Sequence, residues 1–202
     1  MIVEFIGPSC AGKSTLLRST WKHLQLLGVT AHRHRADLDS AEYDPERDAG
    51  PETKWLAANP GILDNQRIWV LLRSAAYVRT LSGHAAVHLV DGGPLKHYSY
   101  GLSQTMARYG GREALATWLP LPDVAVLVDC DPELRVERLR ESQRRHAKIL
   151  TDEELYARHE HSLAQARWVR DELRVPLFEV DTTHSQDHSP SLASYLTTWH
   201  TT

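Results

Sequence analysis

Cysteines are scarce in this sequence and long apolar runs are missing, and both shortages limit where the protein can work. Only two cysteines occur among 202 residues, Cys10 and Cys130, so no disulfide framework is implied and a reducing compartment is expected. The first residues lead directly into a glycine-containing loop, without the basic and apolar regions of a signal peptide. No apolar run approaches the roughly 20 residues that span a bilayer. We therefore predict a cytoplasmic protein that does not associate with a membrane.

An excess of charge of one sign is also missing. With 23 basic and 26 acidic residues, the formal net charge is −3, which does not predict a nucleic-acid-binding protein. Neither an internal repeat nor a low-complexity tract is visible. Hydrophobic residues make up 42% of the chain, close to the globular average, and the length fits one domain. We expect a single domain over residues 1–202, and a homodimer is left open.

Short apolar runs alternate with longer amphipathic stretches along the chain. Strands are predicted over 2–6, 29–35, 85–90, 124–128 and 177–180, and helices over 14–27, 62–81, 95–119, 132–145, 151–173 and 191–199. Continuous apolar strands between helices indicate parallel strands buried on both faces. The sequence thus predicts an α/β fold, a three-layer α/β/α sandwich around a five-stranded parallel sheet, with ligands at the carboxyl ends of the strands. The polar stretch 39–61 is predicted to be a mobile insert.

The sharpest motif follows the first predicted strand and opens the first predicted helix. It consists of Gly7, Pro8, Ser9, Cys10, Ala11, Gly12, Lys13 and Ser14, followed by Thr15, and fits G-x-x-x-x-G-K-[ST] at every fixed position. Glycine adopts backbone angles closed to other residues, so the loop can turn its N–H groups toward phosphate oxygens. Lys13 is expected to contact the β- and γ-phosphates, and the Ser14 hydroxyl to bind Mg²⁺. The motif therefore predicts a site for ATP and Mg²⁺.

Two further features narrow the class of protein. The chain lacks an obvious Asn-Lys-x-Asp signature for guanine binding, which argues against a GTPase. It is also short for a motor or transporter ATPase. On its phosphate loop and its order of elements, it resembles the P-loop nucleoside and nucleotide kinases, particularly thymidylate-kinase-like proteins. The resemblance implies the kinase-type P-loop NTPase fold and an ATP-dependent phosphotransferase. Its small-molecule acceptor would be a nucleoside, a nucleoside monophosphate or another hydroxyl compound. A regulatory nucleotide switch and an ATP-dependent carboxylate-activating ligase stay open as alternatives.

Asp91 closes the third predicted strand. A carboxylate at this place can hold Mg²⁺ or accept the proton of an attacking hydroxyl, although Asp is equally suited to begin a turn. Thymidylate and deoxynucleoside kinases usually continue with an arginine that engages the acceptor. Here Gly92-Gly93-Pro94 follows instead, and Lys96 or His97 could supply the charge. The sequence predicts Asp91 as a catalytic residue or metal ligand.

Further acceptor residues are expected after the second strand. Asp37-Leu38-Asp39 resembles the D-x-D pair of shikimate- and gluconate-type kinases, and an ordinary polar loop fits it equally well. Arg33 and Arg35 share one face of the strand, where they could bind an anionic acceptor or lie on a solvated edge. The candidate substrate-binding residues are Asp37, Asp39 and Arg35. The alternating His32 and His34 are expected to be surface side chains rather than metal ligands.

Arginines are concentrated after the fourth strand. Residues 133–148 carry six Arg or Lys and three Glu, a local charge of +3. This stretch resembles the lid entry of the same kinases, which implies a lid over about 138–151 whose arginines stabilise the transferred phosphate. The candidate catalytic residues are Lys13, Asp91, Arg138, Arg144 and Arg145, with Arg140 as a further member of the lid set. For any single arginine, a solvated helix with Glu–Arg pairs remains an alternative.

The loop after the last strand, Asp181-Thr182-Thr183, commonly lies against the adenine in such kinases. On that resemblance Thr182 is a candidate nucleotide-binding residue, although Asp-Thr-Thr is also good turn chemistry.

Overall fold

Five strands form one parallel sheet. The computed structural model describes residues 1–36, 66–99, 119–142, 150–184 and 186–200. The strands are β1 (Ile2–Ile6), β2 (Ala31–Arg35), β3 (Val87–Asp91), β4 (Val124–Asp129) and β5 (Leu177–Asp181). Their order in the sheet is β2-β3-β1-β4-β5, and all four neighbouring pairs run parallel. This confirms the predicted sheet.

Six helices connect and cover these strands within the described ranges. They are α1 (Lys13–Leu26), α2 (Gln66–Leu81), α3 (Pro94–Ser99), α4 (Pro132–Glu141), α5 (Asp152–Leu173) and α6 (Ser189–His200). The predicted insert over 39–61 lies outside the described residues, as do residues 143–149 of the predicted lid. None of the described helices has the length and apolar character needed to cross a membrane.

The sheet is buried on both faces because its strands alternate between two helical layers. Val3 and Phe5 of β1 pack in one cluster with apolar residues of α1 and α6. Ile6 packs on the opposite face, in a cluster with apolar residues of α2, α3 and α5. These two clusters give the predicted three-layer sandwich.

The end of α1 explains why β2 begins two residues later than predicted. The Gly28 N–H donates to Gln25 O (3.0 Å) and the Val29 N–H to Leu24 O (2.9 Å). With Gly28 at φ +76°, this is a Schellman motif, which uses Val29 to close the helix. The strand therefore starts at Ala31.

The carboxyl ends of the strands bring polar residues to one edge of the sheet. β1 lies at the centre and leads into the glycine-containing loop, while β3 on one side ends at Asp91. Asp91 pairs in register with Phe5 and with Arg35, the last residue of β2. The predicted site residues of three strands thus converge where an open parallel sheet holds its ligands.

Candidate active site

The loop of residues 7–14, the phosphate loop, takes its shape from two glycines. Gly7 has φ +120°, and a Cβ there would lie 2.2 Å from Val128 O of β4. Gly12 has φ +93° and is the N-cap residue of α1. Cys10 between them also adopts a left-handed conformation, at φ +66°. Both glycines are therefore required by the backbone path, as the motif predicts.

Residues from later parts of the chain form hydrogen bonds with the phosphate loop. The Thr182 hydroxyl after β5 lies 2.7 Å from Ala11 O and 3.0 Å from Asp129 O. Arg135 of α4 donates from Nε to Ser9 O (3.1 Å) and from Nη1 to Leu155 O (2.8 Å), and it is only 3% exposed. Arg135 is thus a structural residue that sequence reasoning did not distinguish from the other lid arginines.

Positive charge is concentrated at the loop. The Lys13 ammonium donates to Gly7 O (2.9 Å) and Pro8 O (2.6 Å), so it lies against the loop's own backbone. Helix α1 begins at Lys13 without an acidic residue in its first turn, and its N–H dipoles add positive potential at the same point. This arrangement is suited to phosphate oxygens.

The Ser14 hydroxyl and the Asp91 carboxylate meet at the loop. Ser14 Oγ donates to Asp91 Oδ2 at 2.8 Å, although the residues are 77 positions apart. Two cis oxygen ligands of a Mg²⁺ ion with bonds of about 2.0–2.1 Å lie about 2.9 Å apart. The pair therefore fits a Mg²⁺ ion that takes its remaining ligands from water and phosphate.

A cavity of about 790 Å³ contains most of the predicted site residues that the structure describes. It is lined by the phosphate-loop residues Ser9, Cys10, Gly12, Lys13 and Ser14, by Thr15, by Arg35, Asp91, Lys96, Arg138 and Thr182, and by His184, Gln186, Asp187 and His188 of the loop after β5. The volume is of the size that binds small molecules. The candidates Gly7, Pro8 and Ala11 belong to the phosphate loop without lining the cavity, and Asp37, Asp39, Arg144 and Arg145 lie outside the described residues.

The arginines of α4 point in different directions. Arg138 lines the cavity, and its Nη2 donates to Thr182 O at 3.4 Å. Arg140 instead donates to Leu150 O (2.9 Å) and to the Asp152 carboxylate (2.6 Å), as part of an exposed ion pair. Among the described arginines of this helix, only Arg138 is placed to act on a ligand in the cavity.

A buried carboxylate supports the turn after Asp91. Glu4 of β1 is 1% exposed and accepts hydrogen bonds from Leu95 N (3.1 Å) and Lys96 N (2.9 Å) at the start of α3. Burial raises the pKa of Glu4 to about 7, even though these two N–H donors act in the opposite direction. Sequence reasoning missed this residue. The available signal was a single acidic side chain within an otherwise apolar strand.

One of the two histidines of β2 is less exposed than predicted. His34 is half-buried, with its ring nitrogens 2.7 Å from the Tyr77 hydroxyl and 3.0 Å from His88 Nδ1. Burial, together with the neighbouring His34, lowers the pKa of His88 to about 4. His32 is exposed and stacks on His88. In the part of the chain that the structure describes, no three His, Cys, Asp or Glu side chains form a group that could hold a metal ion.

Solved structures share this fold at low sequence identity. Deoxyadenosine kinase from M. mycoides with bound dCTP matches with a TM-score of 0.56 and 13% identity, over 98% of this chain and 100% of that chain. The same enzyme with the products dCMP and a flexible dCDP gives a TM-score of 0.59 and 13% identity, over 98% and 100% of the two chains. For the same enzyme with bound dATP, the TM-score is 0.59 and the identity is 12%, over 98% of this chain and 99% of that chain.

The likeness to these structures establishes the kinase-type P-loop NTPase fold. No protein-family model matches the chain, and no curated protein sequence does. The neighbours are nucleoside kinases by name, so the narrower likeness to thymidylate kinases stays a prediction.

Proposed function

We propose that this chain is an ATP-dependent kinase that transfers the γ-phosphate of ATP to a small-molecule acceptor of the nucleoside or nucleotide class. The observation that carries the proposal is the contact between Ser14 and Asp91, 2.8 Å apart beside a complete phosphate loop. A hydroxyl from the loop and a carboxylate from the neighbouring strand are the oxygen ligands that a nucleotide-bound Mg²⁺ needs. The fold, shared with nucleoside kinases, supports the same conclusion.

Each part of the cavity has a distinct task in this proposal. The phosphate loop and Lys13 bind the phosphates, and Ser14 and Asp91 hold Mg²⁺, which neutralises phosphate charge when bound. Thr182 and the loop after β5 lie on the far side of the phosphate loop from β2 and β3, where the adenine would bind. The acceptor then occupies the side formed by β2 and β3.

Arg138 supplies charge from α4, in the proposed role of a lid arginine. Phosphoryl transfer spreads negative charge over the transferred group, so a guanidinium that meets it accelerates the reaction. Arg144 and Arg145 are proposed to serve the same purpose.

An acceptor screen tests the function directly. The protein is incubated with ATP–Mg²⁺ and a panel of nucleosides, nucleoside monophosphates and sugars, and the products are identified by mass spectrometry. We expect one phosphorylated acceptor for each ADP formed. Hydrolysis of ATP without any phosphorylated acceptor would favour a nucleotide switch, and an amide product would favour a carboxylate-activating ligase.

The Ser14–Asp91 pair offers a sharper test. Asp91→Asn should lower kcat on the order of 10²-fold or more, and raised Mg²⁺ should restore part of it if the carboxylate holds the metal. Ser14→Ala combined with Asp91→Asn should cost less than the two single losses together, because both act on one ion. Asp171→Asn, at an exposed ion pair of α5, is the matched control. An unchanged kcat in Asp91→Asn would contradict the proposed site.

A further inference from the structure

Two of the four Lys or Arg side chains that line the cavity lie on the acceptor side. The four are Lys13, Arg35, Lys96 and Arg138. Lys13 belongs to the phosphate loop, and Arg138 contacts Thr182 after β5. Arg35 is the last residue of β2, and Lys96 lies in the first turn of α3, which follows β3. In the sheet order, β2 and β3 lie on one side of β1, and β4 and β5 lie on the other. Arg35 and Lys96 therefore both lie at the acceptor end of the cavity, which Asp91 also lines.

The backbone of Lys96 is fixed by a hydrogen bond to the buried carboxylate of Glu4. Pro94, the first residue of α3, has no N–H, and the next two donors, of Leu95 and Lys96, are both accepted by Glu4. A Cβ at Gly93 would lie 2.6 Å from the Glu4 carboxyl carbon. A side chain at position 93 is therefore excluded, and Lys96 is the first charged residue after Asp91 in the sequence.

Arg35 and Arg33 lie on the same face of β2 but have different surroundings. The Arg33 guanidinium lies 4.5 Å from the centroid of the Trp21 ring of α1, a cation–π contact. Arg33 lines a separate surface pocket with Trp21, whereas Arg35 lines the main cavity. Arg35 pairs in register with Asp91 at the strand ends. The chain thus provides a matched pair of arginines, one inside the site and one outside it.

We propose that the phosphoryl acceptor carries an anionic group, a phosphate or a carboxylate, and that Arg35 and Lys96 bind this group. The proposal rests on the proposed kinase function. Arg35 and Lys96 line the same cavity as Asp91, and Arg35 pairs in register with Asp91 at the strand ends. A neutral acceptor would need no such pair of cations, while guanidinium and ammonium groups form charge-assisted hydrogen bonds with phosphate and carboxylate oxygens. Arg35 and Lys96 are therefore specificity-determining residues.

Acceptor pairs that differ by one anionic group test the proposal. The pairs are deoxyadenosine with its 5′-monophosphate, and glucitol with gluconate, which also separates phosphate from carboxylate as the recognised group. With ATP–Mg²⁺, we expect kcat/KM to favour the anionic member of one pair by about tenfold or more. Lys96→Met and Arg35→Met should each lower that value by about 10- to 100-fold, and Lys96→Arg should recover part of it. Arg33→Met is the control and should change neither member.

Three results would overturn the proposal. The first is a higher kcat/KM for the neutral member of each pair, which neither Lys96→Met nor Arg35→Met changes. The second is an equal loss for both members of a pair together with a raised KM for ATP, which would assign the two cations to the nucleotide. The third comes from calorimetry with a non-hydrolysable ATP analogue, if neither pair shows stronger binding of its anionic member.

The calorimetric measurement also separates this proposal from the kinase function. One possible result is that the protein binds the anionic member of a pair selectively, that Lys96→Met abolishes this binding, and that no acceptor is phosphorylated. This result would support the anion site and contradict the proposed kinase function. Melting temperatures of all variants, measured without ligand, identify any loss that comes from unfolding.

Discussion

The two sides of the cavity are built differently. On the side of β4 and β5, the contacts that shape the phosphate loop involve backbone atoms: Val128 O lies where a Gly7 side chain would be, Thr182 contacts Ala11 O, and Arg135 donates to Ser9 O. On the side of β2 and β3, the contact to the phosphate loop joins two side chains, since the Ser14 hydroxyl donates to the Asp91 carboxylate.

This difference separates what the fold requires from what a substrate requires. Backbone contacts depend on the path of the chain and accept few changes, whereas a side chain at the acceptor end can be exchanged without moving the sheet. We infer that the side of β4 and β5 depends mainly on the fold, and that the side of β2 and β3 carries the features particular to this chain.

The largest expected effect is a loss of activity on the nucleotide side. Lys13→Ala should lower kcat/KM on the order of 10³-fold, because it removes the charge that is proposed to contact the transferred phosphate. The fold should persist, since the Lys13 ammonium donates to Gly7 O and Pro8 O of its own loop. Initial rates and the melting temperature measure both effects, with Lys22→Ala on the same helix as control. A well-folded Lys13→Ala with a normal rate would remove the contrast between the two sides.

The next largest effect is a pH dependence of the free energy of unfolding that comes from Glu4. The pKa of Glu4 is raised to about 7 from 4.5, so the folded state binds its proton more tightly than the unfolded state. The free energy of unfolding should therefore fall as the pH rises from about 4.5 to about 7, by roughly 3 kcal/mol for this group. Urea denaturation at pH 5 and pH 8 measures the difference, and Glu4→Gln should remove it. Equal pH dependence in both proteins would show that Glu4 does not titrate in this range.

Two arginines of one helix should differ in their effect on stability. Arg135→Met leaves the carbonyls of Ser9 and Leu155 without their buried donor, and should cost about 2–3 kcal/mol. Arg140→Met breaks an exposed ion pair with Asp152 and should cost about 1 kcal/mol or less. Chemical denaturation compares the two directly. If Arg140→Met were the more damaging change, α4 would not anchor the phosphate loop as described.

The smallest effect concerns the hydroxyl that contacts Ala11 O. Thr182→Val keeps the volume of the side chain and removes this hydrogen bond, so we expect a loss of about 1 kcal/mol of stability. Thr198→Val, at an exposed hydroxyl on α6, is the control and should change less. Weaker ATP binding in Thr182→Val alone would connect the hydroxyl to the shape of the phosphate loop.

The sheet and the phosphate loop were predictable because their signals are local. A run such as Val124–Val128 has no other stable place than a buried strand, and the loop motif specifies its own backbone. The capping box that opens α5 is equally local, since it consists of reciprocal hydrogen bonds between Thr151 and Glu154. The position of Asp91 followed from the strand that it ends.

The remaining parts of the site depend on contacts between distant residues. The face of α4 that Arg138 occupies is set by how the helix packs on α5, which no spacing of arginines reveals. Glu4 meets the amides of α3 about 90 positions later, and His34 meets His88 across two strands. Such contacts depend on the order of the strands in the sheet, which the hydrophobic periodicity of the sequence does not determine.

The placement of Cys10 gives the molecule a natural reporter group. Its thiol is half-buried in the phosphate loop and lies near Val136, Leu139 and Leu155, with Sγ 3.9 Å from the Ser142 hydroxyl. The other cysteine, Cys130, is buried, and burial raises the pKa of its thiol, so it reacts slowly. Alkylation of the unmodified protein should therefore fall on Cys10, and its rate provides a footprint of phosphate-loop occupancy that needs no engineered label.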